Sequence, residues 1–222
     1  MERHVDQELK GLKDDILKMG ALAEEAIYRS VEALKSRDKE LAQGVIDDDS
    51  NIDKLELAVD EKCIDLIARY QPMAGDLRFI TTGMKINGEL ERIADIAVDI
   101  AQRTLELVDK PLLKPLVDIP RLTAVAQSMV KMAIDSFVNG DIELAKKVLM
   151  SDPQANQLRD LIHKELVEDY MLKDSSTAPR AVQLILIARF LERICDHTTN
   201  IAEDVIYMVQ AEVVKHHPEK LK

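Results

Sequence analysis

The sequence predicts an all-α protein, a tandem repeat of two antiparallel three-helix bundles with six long helices. Three observations predict it. Apolar residues recur at three- and four-residue spacing almost throughout the chain. Glycine and proline number only seven each, and β-branched runs are few. Segments of the first half also reappear in the second, in the same order.

The first helix is expected from about Val5 to Ser36, with Leu9, Leu12, Ile16, Met19, Leu22 and Ala26 along one face. A break at Arg37-Asp38 starts the second, in which Leu41, Val45, Ile52, Leu55, Val59 and Ile64 continue the pattern. Tyr70-Gln71-Pro72-Met73-Ala74-Gly75 ends it, because proline and glycine stop helices and favour turns. Asp76 is the expected N-cap of the third helix, which lasts to about Val108. DKPLLKPLVDIP, residues 109–120, then carries three prolines, and no helix passes through it. The second half should hold helices from about Arg121 to Val138, Asp141 to Leu172 and Pro179 to Val213. The expected division is therefore 1–110 for the first repeat, 111–120 for the connection, 121–213 for the second repeat and 214–222 for a loose tail.

The repeat is explicit. Asp38-Lys-Glu-Leu-Ala-Gln-Gly-Val45 matches Asp141-Ile-Glu-Leu-Ala-Lys-Lys-Val148 at an offset of 103 residues. Leu90-Glu-Arg-Ile-Ala-Asp95 matches Leu191-Glu-Arg-Ile-Cys-Asp196 at an offset of 101, which predicts a two-residue shortening in the second half's intervening turn.

Composition narrows the function classes. The net charge is −11, from 41 acidic and 30 basic residues, and no cluster of cations suits a nucleic-acid backbone. Aromatics are 3% with no Trp, so a stacking platform for bases or sugars is not expected. The carboxylate excess favours solubility, a cationic partner surface or metal ions. No apolar leader precedes the first helix, and the apolar run from Ala181 to Ala188 is far short of the roughly 20 residues that span a bilayer. The expected location is cytoplasmic. Cys63 and Cys195 lie in helical segments and read as ordinary buried thiols of a reducing compartment.

The chemistry-bearing pattern is a pair of acidic stripes. On the third helix Glu91, Asp95 and Asp99 are spaced by four, on the flank opposite Leu90, Ile93, Ala94, Ala97, Ile100 and Ala101. In the sixth, Glu192, Asp196 and Glu203 share the corresponding stripe, with Asn200 at the place of Asp99. The second helix offers Asp49 and Asp53 four apart, and its copy has Asp152 and Asn156. Carboxylates at this spacing repel by a few tenths of a kcal/mol. Facing pairs from neighbouring helices would make an all-oxygen site for hard or borderline cations. A solvated polar face, with Arg92 and Arg193 as ordinary surface partners, explains the same stripe, and spacing alone leaves the two readings open.

LERIADIAVDIA (residues 90–101), LERICDHTTNIAE (191–203) and YQPMAGDLR (70–78) resemble the signature segments of the PhoU family, and the likeness covers essentially the whole chain. The resemblance implies multinuclear metal clusters on E(D)-x-x-x-D motifs, with iron first and zinc, nickel or magnesium as further candidates. Glu91-x-x-x-Asp95 and Asp49-x-x-x-Asp53 match the first cluster; Glu192-x-x-x-Asp196 and Asp152-x-x-x-Asn156 match the second. Asn156 departs from the motif, so the second site is expected to be weaker or to recruit His197 or Glu203. The resemblance also implies a homodimeric, non-enzymatic regulator. It would couple the ATPase subunit of a phosphate ABC transporter to the sensor histidine kinase of the phosphate regulon, damping both.

Two other classes stay open. One is a metal-dependent enzyme acting on phosphate esters or in redox chemistry, and the other is a metal-storage bundle. Against an enzyme, His163 and His197 lack the inward Glu of di-iron bundles, and no phosphate loop or nucleophile elbow occurs. Asp76-Leu77-Arg78 reads as a cap with an ion pair or as a partner-contact corner, and His216-His217 as part of the tail.

Overall fold

The computed structural model describes residues 4–213. Its six helices are α1 (His4–Ser36), α2 (Lys39–Tyr70), α3 (Ala74–Leu107), α4 (Asp118–Asn139), α5 (Ile142–Glu165) and α6 (Ala178–Gln210). The tail and its two histidines lie outside the described residues.

The repeat is visible in the hinges. Asp38 and Asp141 each cap a helix N-terminus, accepting from Leu41 N at 2.9 Å and Leu144 N at 3.0 Å. The residue before each cap is left-handed: Arg37 at φ 59° and Gly140 at φ 62°. Arg37 takes on this strained geometry while its guanidinium bonds the carbonyls of Val108 and Lys110, tying the α1–α2 hinge to the end of α3.

Four expectations shift. Ile64 is 59% exposed, and Cys63 and Leu66 take the core positions instead. The buried stripe of α2 runs Val45, Ile52, Val59 and Leu66, a seven-residue period from which Ile64 is rotated. Asp76 is not the N-cap of α3. Met73 holds that place without a side-chain bond, and Asp76 falls in the first turn, where a carboxylate favours the helix dipole. The fifth helix does not stay α-helical to Leu172, because Leu166–Met171 form a π-helical segment. With the 24 residues of α5, its six residues make a rod two residues shorter than the 32 of α2. The missing two residues are thus lost from the helix, not from the turn.

Within each repeat the three helices pack on one another, and between repeats α3 packs on α6 and α1 on α4. One continuous core runs through both halves, from Leu12, Ile16 and Met19 to Leu191, Ile201 and Val205, all fully buried. Phe79 and Phe137 stack across the repeat boundary with centroids 5.1 Å apart. At Gly20 the approach is so close that a Cβ would sit 2.2 Å from Ile134 Cδ1. Cys63 and Cys195 are buried and unbridged, with burial pushing the Cys63 thiol up to about 12 and the Cys195 thiol further still. Both are held as inert thiols.

Candidate metal centre and its counterpart in the second repeat

The apolar faces of α2 and α3 turn towards the core, so their acidic flanks are left side by side along a surface groove. The structure brings the expected Asp49 and Asp53 of α2 together with Glu91, Asp95 and Asp99 of α3. Burial, then Asp53 and Asp95, push the Asp49 carboxyl up to about 6. Burial also raises Glu91, followed by Asp95, Glu56 and Asp53, and it raises Asp95, followed by Asp53 and Asp99. Two further members follow from the continued spacing of α2: Glu56 and Asp60, three and seven residues past Asp53. Glu56 is raised by burial and by Asp60 and Asp53. Asn87, fully buried on α3, donates its amide to Glu56 O at 2.8 Å and Asp60 Oδ1 at 3.1 Å, which pins α2 against α3 below the groove.

Among the described residues, no lysine or arginine forms an ion pair with any of these carboxylates. Nor do any three His, Cys, Asp or Glu side chains come together tightly enough to enclose one ion. The groove is an open row of carboxylates that mostly repel one another, although a hydrogen bond from Glu91 lowers Asp95 and Arg92 lowers Glu91. It is a donor set that suits hard or borderline cations once the side chains draw in.

The second groove, between α5 and α6, differs. Asp152 is raised by burial and Asp196, but Asn156 donates to its Oδ2 at 2.8 Å. Glu192 is only 4% exposed and receives two guanidinium groups, Arg159 Nη1 at 2.6 Å and Arg189 Nη1 at 3.0 Å, on Oε1. Burial and Asp196 still raise its carboxyl, against the lowering by Arg189 and Arg159. Arg159 occupies the position that Glu56 holds in the first repeat, 103 residues earlier. Asp196 is exposed at the mouth, and Glu203 lies part-buried two turns further along α6.

His197 and Asn200 do not serve this second groove. His197 Nδ1 lies 2.7 Å from Glu89 Oε2, and Asn200 donates to the same oxygen at 3.2 Å. Burial opposes the charge on Glu89, yet these hydrogen bonds and the nearby Arg92 hold its carboxyl below the ordinary range. Both residues reach across to α3, which packs against α6. They form a polar clasp between the repeats. Arg78 makes another link of this kind, with Nε donating to Met208 O of α6 at 3.1 Å.

The comparisons agree with this architecture. A family model described as the PhoU domain matches the chain twice, over residues 16–104 and 119–205. The chain belongs to the PhoU family. It is 42% identical over 216 residues to the phosphate-specific transport system accessory protein PhoU homolog of Aquifex aeolicus, covering 97% of both chains. To the phosphate-specific transport system accessory protein PhoU of Escherichia coli it is 34% identical over 212 residues, 94% of this chain and 86% of that one. The crystal structure of PhoU from Pseudomonas aeruginosa superimposes with a TM-score of 0.89 at 36% identity, covering 93% of this chain and 99% of that one. The phosphate transport system regulatory protein PhoU from Streptococcus pneumoniae gives 0.88 at 29% identity, over 95% and 99%. The fold is thus shared along nearly the whole chain with these solved structures.

Proposed function

We propose that the chain is a non-enzymatic accessory regulator of phosphate uptake. It docks on the ATPase subunit of a phosphate ABC transporter and on the sensor histidine kinase of the phosphate regulon, and restrains both. The observation that carries this reading is similarity along the whole chain to proteins named as accessory or regulatory components of phosphate transport. Long, rigid helices offer extended faces for helical partner domains. No helix among the described residues is long and apolar enough to cross a membrane, so the reading places the chain at the cytoplasmic face through its partners. The working form is a homodimer.

The first groove is the metal site in this reading, with iron as the leading candidate and zinc, nickel or magnesium as alternatives. Asp49 and Asp53 on α2 would hold the ions with Glu91, Asp95 and Asp99 on α3, Glu56 reinforcing the charge. A cation there supplies positive charge that cancels the carboxylate repulsion and stiffens α2 against α3. The reading therefore gives the metal a structural and signalling role.

The test is a pull-down of the full chain against the transporter ATPase and the kinase cytoplasmic domain, with and without added iron(II) or manganese(II). Binding to both partners is expected, strengthened by metal. Absence of binding in every condition, or a metal-dependent phosphatase activity lost with Asp49→Asn and Glu91→Gln, would favour the enzyme instead.

A further inference from the structure

The resemblance implies a metal cluster in each repeat, and the residues of the second groove do not fit one. We infer that Arg159 is a built-in cation that locks the second groove in place of metal, so that the chain takes metal in its first repeat only. The statement about metal rests on the reading of the first groove as a metal site. The statement about the lock does not.

The argument starts from equivalent positions. Asp49, Asp53, Glu56, Glu91, Asp95 and Asp99 correspond to Asp152, Asn156, Arg159, Glu192, Asp196 and Asn200. The first set is six carboxylates, formally −6. The second is three carboxylates, two amides and one guanidinium, formally −2. The three changes act together. Asn156 donates to Asp152 where Asp53 repels Asp49. Asn200 is drawn away to Glu89 on α3. Arg159 places Nη1 2.6 Å from Glu192 Oε1, a charge-assisted bond to a carboxylate that is almost fully buried, and its Nη2 reaches exposed Asp160 at 2.7 Å.

A metal ion entering this groove would meet a cation already there. It would have to break the Arg159–Glu192 bond and sit beside the displaced guanidinium, where the part-buried setting weakens screening. The two buried groove oxygens without hydrogen bonds, Asp152 Oδ1 and Glu192 Oε2, lie in the field of the same positive charges: Arg159 lowers both carboxyls, and Arg189 Nη1 is 3.0 Å from Oε2. The guanidinium thus does in the second repeat what a bound ion would do in the first, bridging the charge of α6 to α5 without leaving when metal is scarce.

The experiment uses the full chain, stripped with chelator and titrated with manganese(II), whose free-ion paramagnetic signal falls on binding. Three variants are compared with the parent: D49N/E91Q/D95N, the same triple carrying R159E and N156D, and R159M. The triple is expected to lose all manganese binding, and the five-fold variant to regain it in the second groove. Manganese retained by the triple, or none regained once R159E and N156D are added, overturns the claim about metal. R159M is expected to lower Tm by on the order of 5 °C or more, because the buried carboxylate loses its closer partner and keeps only the more exposed Arg189. E192Q added to R159M should recover most of that loss, and R159M/E192Q keeps the test usable if R159M alone does not fold. An unchanged Tm in R159M overturns the lock. If the parent binds no manganese, the reading of the first groove fails, and the Tm pair still decides the role of Arg159.

Discussion

In the first repeat Glu56 stands where the second has Arg159, and this exchange separates two grooves of common origin. Both put Asp, Glu and their neighbours on the polar flanks of two adjacent helices, and burial raises a carboxyl in each. In the first, burial and neighbouring carboxylates raise Asp49, Glu56, Glu91 and Asp95, and Asp49 reaches about 6. In the second, an amide bonds Asp152 and two guanidinium groups bond Glu192. The difference teaches that helix packing preserved the groove while single side chains neutralised most of its charge. One groove stores repulsion that an ion can relieve; the other has relieved it internally.

The most severe way to break this comparison is to give the first groove the second's cation. Glu56→Arg should abolish metal binding in the first repeat, read by elemental analysis. It should also raise the Tm of metal-free protein by about 2–4 °C, as expected if about 1 kcal/mol of repulsion is removed. Full metal content in that variant would show that Glu56 and Arg159 are not equivalent in effect.

A smaller effect lies in pH. Asp49 has a higher pKa folded, about 6, than its ordinary 3.8. Between these values the Asp49 carboxyl binds more protons in the folded state than in the unfolded one, so its contribution to the stability of the metal-free chain is fully present below about 4 and is lost as pH rises through about 6. Thermal melts across this range should show the decline, and Asp49→Asn should flatten it. A decline unaffected by that substitution would place the repulsion elsewhere.

Asn156→Asp should lower Tm by about 2–4 °C, since it replaces a hydrogen bond to Asp152 by a repulsive contact worth about 1 kcal/mol. Least of all, Asp160→Asn should move Tm by under about 1 °C, because the Arg159–Asp160 pair is exposed on the aspartate side and such pairs contribute little. A large loss there would mean that Asp160, rather than Glu192, anchors the guanidinium.

Much of this was legible in the residues. Apolar spacing and the 103-residue offset predict six helices in two repeats, and the matched hinge caps Asp38 and Asp141 carry the copy down to single hydrogen bonds. The acidic stripes are legible for the same reason, since residues four apart share a helix flank. Glu56 and Asp60 continue that stripe, and their omission came from following only the four-residue spacing. Arg159 was readable too, because the offset that relates Asp49 to Asp152 places it on Glu56. The clasp of Glu89 with His197 and Asn200 was not, as it depends on how α3 meets α6 and no periodicity within one helix encodes that. The π-helical segment at Leu166–Met171 had no signal in its apolar pattern either.

The packing of α3 on α6 bears on the ancestry of the chain. Each of these helices spends part of its apolar surface on the other's repeat, so a lone ancestral repeat would have exposed that surface and needed a second copy of itself to cover it. The present chain reads as that symmetric pair joined through residues 109–117. In a pair of identical subunits every substitution appears twice, and an arginine in one groove is an arginine in both. Fusion removed that constraint. It let the two copies differ, with Glu56 in one and Arg159 in the other, and it let Glu89 find in His197 and Asn200 a clasp with no mirror image, since Phe190 stands where the second repeat would need a glutamate.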